Sequence, residues 1–407
     1  MNRIESKGRS PFYPDQPVPV ELFRGRTSQI EHILQRGAGQ VAAGKPVTMF
    51  VEGEYGIGKS SIAAFVQWKA EQEEYGLHGI YAPLGGAKSL DDVAESILMA
   101  TVRSGAFHPG RGEAIRNWFA RFVGQQQLFG LSVNLAALKL EAPTLKSAGS
   151  LLQFLQETIV RLKETGVRGI FLILDEINGI TGDPHFAHFL KGIVDSNALL
   201  RPPVPLLLML CGVEERRREL VRAHELVGRI FDIVTVHRMT EEEMRDFYTK
   251  SFAAAGIGVA PRALEIMTEH AAGFPKIMHL IGNAAYWLDR DSLIDEEDAL
   301  DAVLEAAADV GRRYVDHQVY DALRSADYRS ILGKIALMRP DMMSFQKTVV
   351  AEGLTETQKR KLNNFLQKMK RLNVIRSGDV QGEWVFNSRM VRLYIWLASI
   401  RKQKAKD

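Results

Sequence analysis

Gly53-Glu54-Tyr55-Gly56-Ile57-Gly58-Lys59-Ser60 fits G-x-x-x-x-G-K-[ST] at every required position. An apolar, β-branched run, Val47-Thr48-Met49-Phe50-Val51, leads into it, and a helical pattern from Lys59 to about Glu73 leaves it. That context is what phosphate binding requires. The glycines let the backbone curl so that successive N–H groups face phosphate oxygens, and the following helix adds the positive end of its dipole. Within the phosphate-contacting set Gly53 to Ser61, Lys59 is expected to reach the β- and γ-phosphates and the Ser60 hydroxyl to ligate Mg²⁺.

A second element matches the first. Ile170-Phe171-Leu172-Ile173-Leu174 is a continuous apolar strand that ends on Asp175-Glu176. Ligands of open α/β sheets bind beyond the carboxyl ends of the strands, where this pair falls. Asp175 can hold Mg²⁺, largely through water, and Glu176 can orient or deprotonate an attacking water. Adjacent carboxylates at a buried strand end are costly unless a cation or a polar network offsets them. Glu176 therefore favours a hydrolase over a passive nucleotide binder, and the lack of an Asn-Lys-x-Asp element favours ATP over GTP.

Further strands are expected at Gly79 to Pro83, Leu206 to Leu210 and about Ile230 to Val236, with helices near Leu151 to Glu164 and His185 to Asp195 between them. Alternating strands and helices imply a parallel sheet covered on both faces. Residues 85–143 form an elaboration with helices at Leu90 to Val102 and Ala114 to Phe122 and a hairpin within Phe129 to Leu140. Helices follow at Met244 to Ala254, Pro261 to Ala272, Lys276 to Asp289 and Asp295 to Tyr314, the first behind the capping pattern Thr240-Glu241-Glu242-Glu243. A helix is also expected from about Thr27 to Ala42, capped by Thr27 or Ser28, after a proline-rich extended lead-in.

The end of the chain differs in charge. From Ser344 to Asp407 there are 14 Lys and Arg against 5 Asp and Glu, a net of +9, while the remainder holds 38 basic and 44 acidic residues, a net of −6. An anionic partner and a solvated helical surface both account for this excess. Tyr328 to Met338, Ser344 to Ala351 and Glu356 to Leu372 read as three helices. Val374-Ile375-Arg376 and Trp384-Val385-Phe386 then read as a two-stranded wing. In the third helix, Leu362, Phe365, Leu366, Met369 and Leu372 share one side, and Arg360, Asn364, Gln367, Lys368 and Arg371 lie roughly opposite. The second set contains residue types that bind phosphates and base edges of double-stranded DNA.

No stretch approaches the ~18 apolar residues that would cross a bilayer, and the first seven residues have no apolar signal core. One cysteine, Cys211, makes no internal disulfide. These features fit the cytoplasm without a membrane. His185-x-x-His188 could face one metal, but no third ligand sits nearby in the sequence.

Taken together, the loop, the acidic pair and their spacing resemble those of the AAA+ and signal-transducing (STAND) ATPases, especially the branch of replication-origin initiators and transposition regulators. The likeness runs over most of Phe23 to about Asp289 and more loosely to the end. It implies an α/β fold with an AAA+ type P-loop NTPase sheet, a helical lid and a C-terminal winged-helix domain. The expected boundaries are an extended segment at 1–20, an ATPase core at 21–239, a lid at 240–315 and the basic domain at 316–407.

The resemblance also assigns residues. Phe23-Arg24-Gly25-Arg26 is similar to the family's F-x-G-R element, which implies that Gly25 and Arg26 help seat the adenine and sugar. Leu226-Val227-Gly228-Arg229-Ile230 resembles the segment whose arginine reaches a neighbour's ATP, so Arg229 is a candidate trans-acting finger. An exposed helix-end arginine is the other reading. Arg216, Arg217 and Arg218 fit a solvated face, though one could substitute for Arg229. Gly273-Phe274-Pro275-Lys276 looks like the start of the second-sensor helix, with Lys276 touching the phosphates. The strand before Gly212 carries the first sensor in the family, and Cys211 and Val213 depart from the polar residue expected there. The implied activity is a slow, partner-regulated ATPase switch that binds ATP or ADP, forms a homo-oligomer and contacts DNA. The alternative is a signalling or defence ATPase acting on a protein partner.

Overall fold

In the computed structural model, residues 7–15, 19, 23, 25–105, 108–123, 146–312, 319, 322–338, 342–372, 374–378, 380–387 and 389–404 are described. The contacts divide the chain into two units, Gln16–Arg238 and Met1–Asp15 with Met239–Asp407. The hairpin expected within 129–140 lies outside the described residues.

The first unit opens on helix α1, which runs continuously through Thr27–His32, a π-helical stretch Ile33–Ala38 and Gly39–Ala42. Neither Thr27 nor Ser28 caps it. Arg26 holds the N-cap position in a left-handed conformation with no side-chain cap. Strand β1 (Val47–Glu52), helix α2 (Lys59–Ala70) and strand β2 (Leu77–Pro83) follow. Then come α3 (Leu90–Arg103), α4 (Pro109–Val123), α5 (Ala148–Leu162) and β3 (Gly169–Asp175). The unit ends with α6 (Pro184–Leu199), β4 (Leu206–Gly212), α7 (Glu214–Ala223), a 3₁₀ turn at Glu225–Arg229 and β5 (Asp232–Thr235).

The five strands pair in the order β2-β3-β4-β1-β5, all parallel. Every residue of β3 and β4 is buried, the pattern of a central strand covered on both faces. Placing the two most apolar strands side by side, with Ile173 opposite Met209, puts their ends in the middle of the sheet's carboxyl edge. Strand β2 lies at one margin, and buried side chains meet its backbone there. Gly79 N–H donates to Glu71 Oε1 at 3.1 Å, and Arg111 donates to the Leu77 carbonyl at 3.1 Å. These partners cover polar groups that an open edge would offer to another chain.

The second unit contains α8 (Glu241–Ala254), the short strands β6 (Gly258–Val259) and β7 (Leu293–Ile294), and between them α9 (Pro261–Ala271) and α10 (Pro275–Leu288). Helix α11 (Glu296–Val310) follows β7. Thr240 and Asp295 begin α8 and α11 with complete capping boxes, as Thr240-Glu241-Glu242-Glu243 predicts for the first. The chain continues through α12 (Ala326–Ala336), β8 (Ser344–Gln346), α13 (Lys347–Glu352), α14 (Glu356–Arg371), β9 (Ile375–Ser377), β10 (Glu383–Phe386) and α15 (Arg389–Lys404). Residues 344–346, expected to begin a helix, instead form a strand that pairs antiparallel with β10, giving a sheet of order β8-β10-β9. Phe345 is thereby buried against Phe386, with ring centroids 5.8 Å apart. Helix α15 returns to this unit, where the Tyr394 ring covers Gly311; a Cβ there would lie 2.1 Å from the ring.

The lead-in at the N-terminus is more than an extended segment. Phe12 is 4% exposed and sits among the rings of Phe247, Tyr248, Phe252 and His279. Gly282 gives it room, because a Cβ there would lie 2.3 Å from the Phe12 ring. Lys7 pairs with Asp289 at 2.8 Å, and Tyr13 N–H donates to His279 Nδ1 at 3.1 Å. That bond needs an unprotonated His279, and burial holds its pKa down to about 4, from 6.5. A histidine whose folded pKa is lowered contributes stability above its unfolded value that is lost as the pH falls from 6.5 towards 4. Limited proteolysis within residues 7–15 should therefore accelerate over that pH interval, and Phe12→Ala should accelerate it at pH 7. Equal cleavage rates in both comparisons would show that the segment is not held by these contacts.

Candidate functional site

The glycine-rich loop joins β1 to α2 at the carboxyl edge of the sheet. Gly56 and Gly58 have φ of 75° and 99°, a region that favours glycine. Gly53 is required for a different reason: a Cβ there would lie 2.8 Å from the Val236 carbonyl oxygen. Ile57 is the loop's buried anchor at 1% exposure, whereas Glu54 and Tyr55 face outward. Gly58 is the N-cap of α2 and no side chain caps that helix, so the N–H groups of its first turn, from Lys59 to Ser61, are presented to an anion. The loop thus has the backbone geometry that a nucleotide's phosphates require.

Lys59 Nζ donates to the carbonyls of Gly53 at 2.8 Å and Glu54 at 2.9 Å, and lies 5.6 Å from the Tyr55 ring centroid. Burial pulls its pKa below the ordinary lysine value, while Cys211, Asp175, Glu176 and Glu54 act in the opposite sense. The lysine and both acidic residues therefore share one electrostatic neighbourhood.

Asp175 ends β3 at 6% exposure. Its Oδ1 accepts the Glu176 N–H at 2.9 Å, and its Oδ2 accepts the Tyr81 hydroxyl. Tyr81 thus holds the carboxylate expected at the Mg²⁺ from the adjacent strand. This arrangement fits a hard cation, which takes oxygen donors. Glu176 adopts a left-handed backbone (φ 58°), an uncommon state for this residue type that turns its side chain away from β3's direction. The carboxylate then packs over Gly85, where a Cβ would come within 2.5 Å of Glu176 Oε2.

Cys211 is fully buried in β4, beside Val51 of β1. Burial pushes its thiol pKa well up, Asp175 adds to that rise and Lys59 opposes it. A weakly hydrogen-bonding thiol thus stands near the two charged groups where the resemblance leads one to expect a stronger polar group.

Gly25 has φ of 73° and Arg26 φ of 63°. The Arg26 guanidinium, 5% exposed, donates to the Ile57 carbonyl at 3.1 Å and to the His237 carbonyl. It ties the loop to the segment after β5. Upstream, Phe23 stacks on Phe65 of α2 with centroids 4.8 Å apart.

Of the α7 arginines, Arg216 and Arg217 are partly buried, while Arg218 and Arg222 are solvated. Arg217 pairs with Glu52, 9% exposed, at 2.7 Å, and Arg216 pairs with Glu219 at 2.7 Å. Thr181 completes the second group by donating to Glu219 at 2.6 Å. Arg218 joins Glu214 at 2.7 Å on the exposed side. Arg222, later on α7, and Arg229, which ends the 3₁₀ turn, are exposed and make no hydrogen bond or ion pair among the described residues.

In the second unit, Lys276 lies in the first turn of α10. On α14, Leu362, Phe365, Leu366 and Met369 are buried, while Arg360, Asn364, Gln367 and Arg371 are exposed. Lys368 differs, being partly buried with its Nζ on the Ala322 carbonyl at 2.5 Å. His188 meets the His224 ring at 4.7 Å. Among the described residues, the group with metal-ligand spacing is Asp289, Asp291 and Asp298, so the histidine pair is not part of one. No helix among the described residues is long and apolar enough to cross a membrane.

No protein-family model matches the sequence, and no curated protein does. Solved structures do. The ORC2 protein of Aeropyrum pernix, in its ADPNP–ADP complexes, matches with a TM-score of 0.58 at 15% identity, over 98% of this chain and 98% of that one. A Walker-type ATPase of Pyrococcus abyssi matches with a TM-score of 0.54 at 16% identity, over 92% of this chain and 96% of that one. Together with the five-stranded parallel sheet and its glycine loop, these likenesses show that the chain shares the α/β fold of those two proteins.

Proposed function

We propose that this protein is an ATP-hydrolysing molecular switch that assembles with copies of itself and contacts duplex DNA. The observation that carries the first part is the convergence of Lys59, Asp175 and Glu176 beside a glycine loop at the sheet's carboxyl edge. Both fold neighbours are ATPases or nucleotide complexes by their descriptions, which supports the same reading.

In this reading the loop N–H groups from Gly53 to Ser61 cradle the phosphates, and Lys59 leaves its loop carbonyls to meet the β- and γ-oxygens. Ser60 and Asp175 would hold Mg²⁺, which supplies Lewis-acid neutralisation of phosphate charge when bound. Glu176 orients the attacking water and takes its proton. Gly25 and Arg26 shape the loop's nucleoside side. Arg26 acts there through its hold on Ile57 rather than through an open guanidinium. Residues 21–239 form the ATPase core, 240–315 the lid carrying Lys276 as second sensor, and 316–407 a winged helix. Arg229, exposed and outside the ion pairs of α7, is the group suited to reach a neighbouring subunit's γ-phosphate. The chain would work in the cytoplasm.

For DNA, the supporting observation is the division of α14 into a buried apolar side and an exposed side bearing Arg360, Asn364, Gln367 and Arg371. A helix so divided can dock on a duplex without unfolding its unit. Lys368 contributes less direct contact, because its ammonium is already bonded within the unit.

Turnover tests the catalytic assignment. ATP hydrolysis measured in wild type, Lys59→Ala, Glu176→Gln and Gly85→Ala should be lost in the first two variants. In Gly85→Ala it should fall by roughly 10²-fold, the scale of a misplaced catalytic group, with nucleotide affinity retained. Equal background rates in all four proteins would reject the enzyme assignment.

The DNA assignment has its own readout. Duplex affinity should fall with salt, and the log–log slope should become shallower by about 1.8 when Arg360 and Arg371 are both changed to Ala. An unchanged slope would remove α14 as the contact surface. A stoichiometric protein partner with no DNA affinity would instead support the signalling alternative.

A further inference from the structure

We infer that Tyr81 is a positioning residue for the divalent cation, fixing the orientation of the Asp175 carboxylate. The inference rests on the reading of the glycine loop as a magnesium–nucleotide site.

Tyr81 belongs to neither motif. It comes from β2, at the sheet margin, and its phenol reaches Asp175 of the adjacent strand. The phenolic proton is given to Asp175 Oδ2.

A ligating carboxylate needs a fixed rotamer, and Asp175 is held from both ends, by Tyr81 at Oδ2 and by the Glu176 N–H at Oδ1. Such outer partners orient metal ligands, and losing one typically costs 10–100-fold in metal affinity, so an effect of about ten-fold is expected here.

The test is an electron-paramagnetic-resonance titration of Mn²⁺ on the full chain with a non-hydrolysable ATP analogue, alongside analogue binding in EDTA. Tyr81→Phe keeps the ring and removes the hydrogen bond to Asp175. It should weaken Mn²⁺ binding about ten-fold while leaving EDTA affinity and the melting temperature in EDTA near wild type. Asp175→Asn closes a double-mutant cycle, in which the effect of Tyr81→Phe should shrink once the carboxylate is gone. Unchanged Mn²⁺ affinity in Tyr81→Phe would overturn the inference. So would equal losses with and without metal, which would reveal only a general disturbance of the fold. A wild-type chain that binds no analogue in EDTA or with Mn²⁺ would overturn the nucleotide reading itself, whereas metal-independent binding in both proteins would overturn the positioning role alone.

Discussion

A carboxylate is costly to bury, and β3 carries one to the end of a strand with no exposed residue. The surroundings of Asp175 are arranged around that cost. Its two oxygens accept from Tyr81 and Glu176, and Lys59 contributes a nearby positive charge. Holding these partners in place requires the pairing of β2 with β3, the glycine loop after β1, and the left-handed turn at Glu176. The geometry of the candidate site follows from compensating one buried charge.

The same site shows how charge is distributed around the loop. Glu52, Glu54 and Glu219 have arginine partners in Arg217, Arg238 and Arg216. Of these, Arg217 with Glu52 is the more enclosed pair, and it links α7 to β1 directly behind the loop. The exposed pairs are worth little individually. Their value is in fixing which cations are committed locally, which leaves Arg222 and Arg229 with open guanidinium groups among the described residues.

Much of this was legible in the sequence because it is local. The loop pattern, the apolar runs of β1, β3 and β4, and the apolar stripe of α14 each declare themselves within a dozen residues. Tyr81 and Gly85 escaped notice because their importance lies in contacts with Asp175 and Glu176, some ninety positions away along the chain. Arg217 reads as solvated from the sequence because its acidic partner Glu52 lies on β1, far away along the chain. The local pattern reads residues 344–346 as helix, but strand pairing with β10, not local propensity, decides their conformation. Phe12 belongs to a core formed by residues more than two hundred positions later, so the opening segment carried no sign of its own docking.

The central claim is that Ser60 and Asp175 present oxygen ligands to a divalent cation beside a nucleotide held by the loop. Anomalous scattering from Mn²⁺ in crystals grown with a non-hydrolysable ATP analogue tests it most directly. The account predicts one strong peak between the analogue's β- and γ-phosphates, coordinated by Ser60 Oγ and facing Asp175 directly or through a water. A nucleotide bound away from the loop, or a metal peak that leaves both residues without contact, would contradict it.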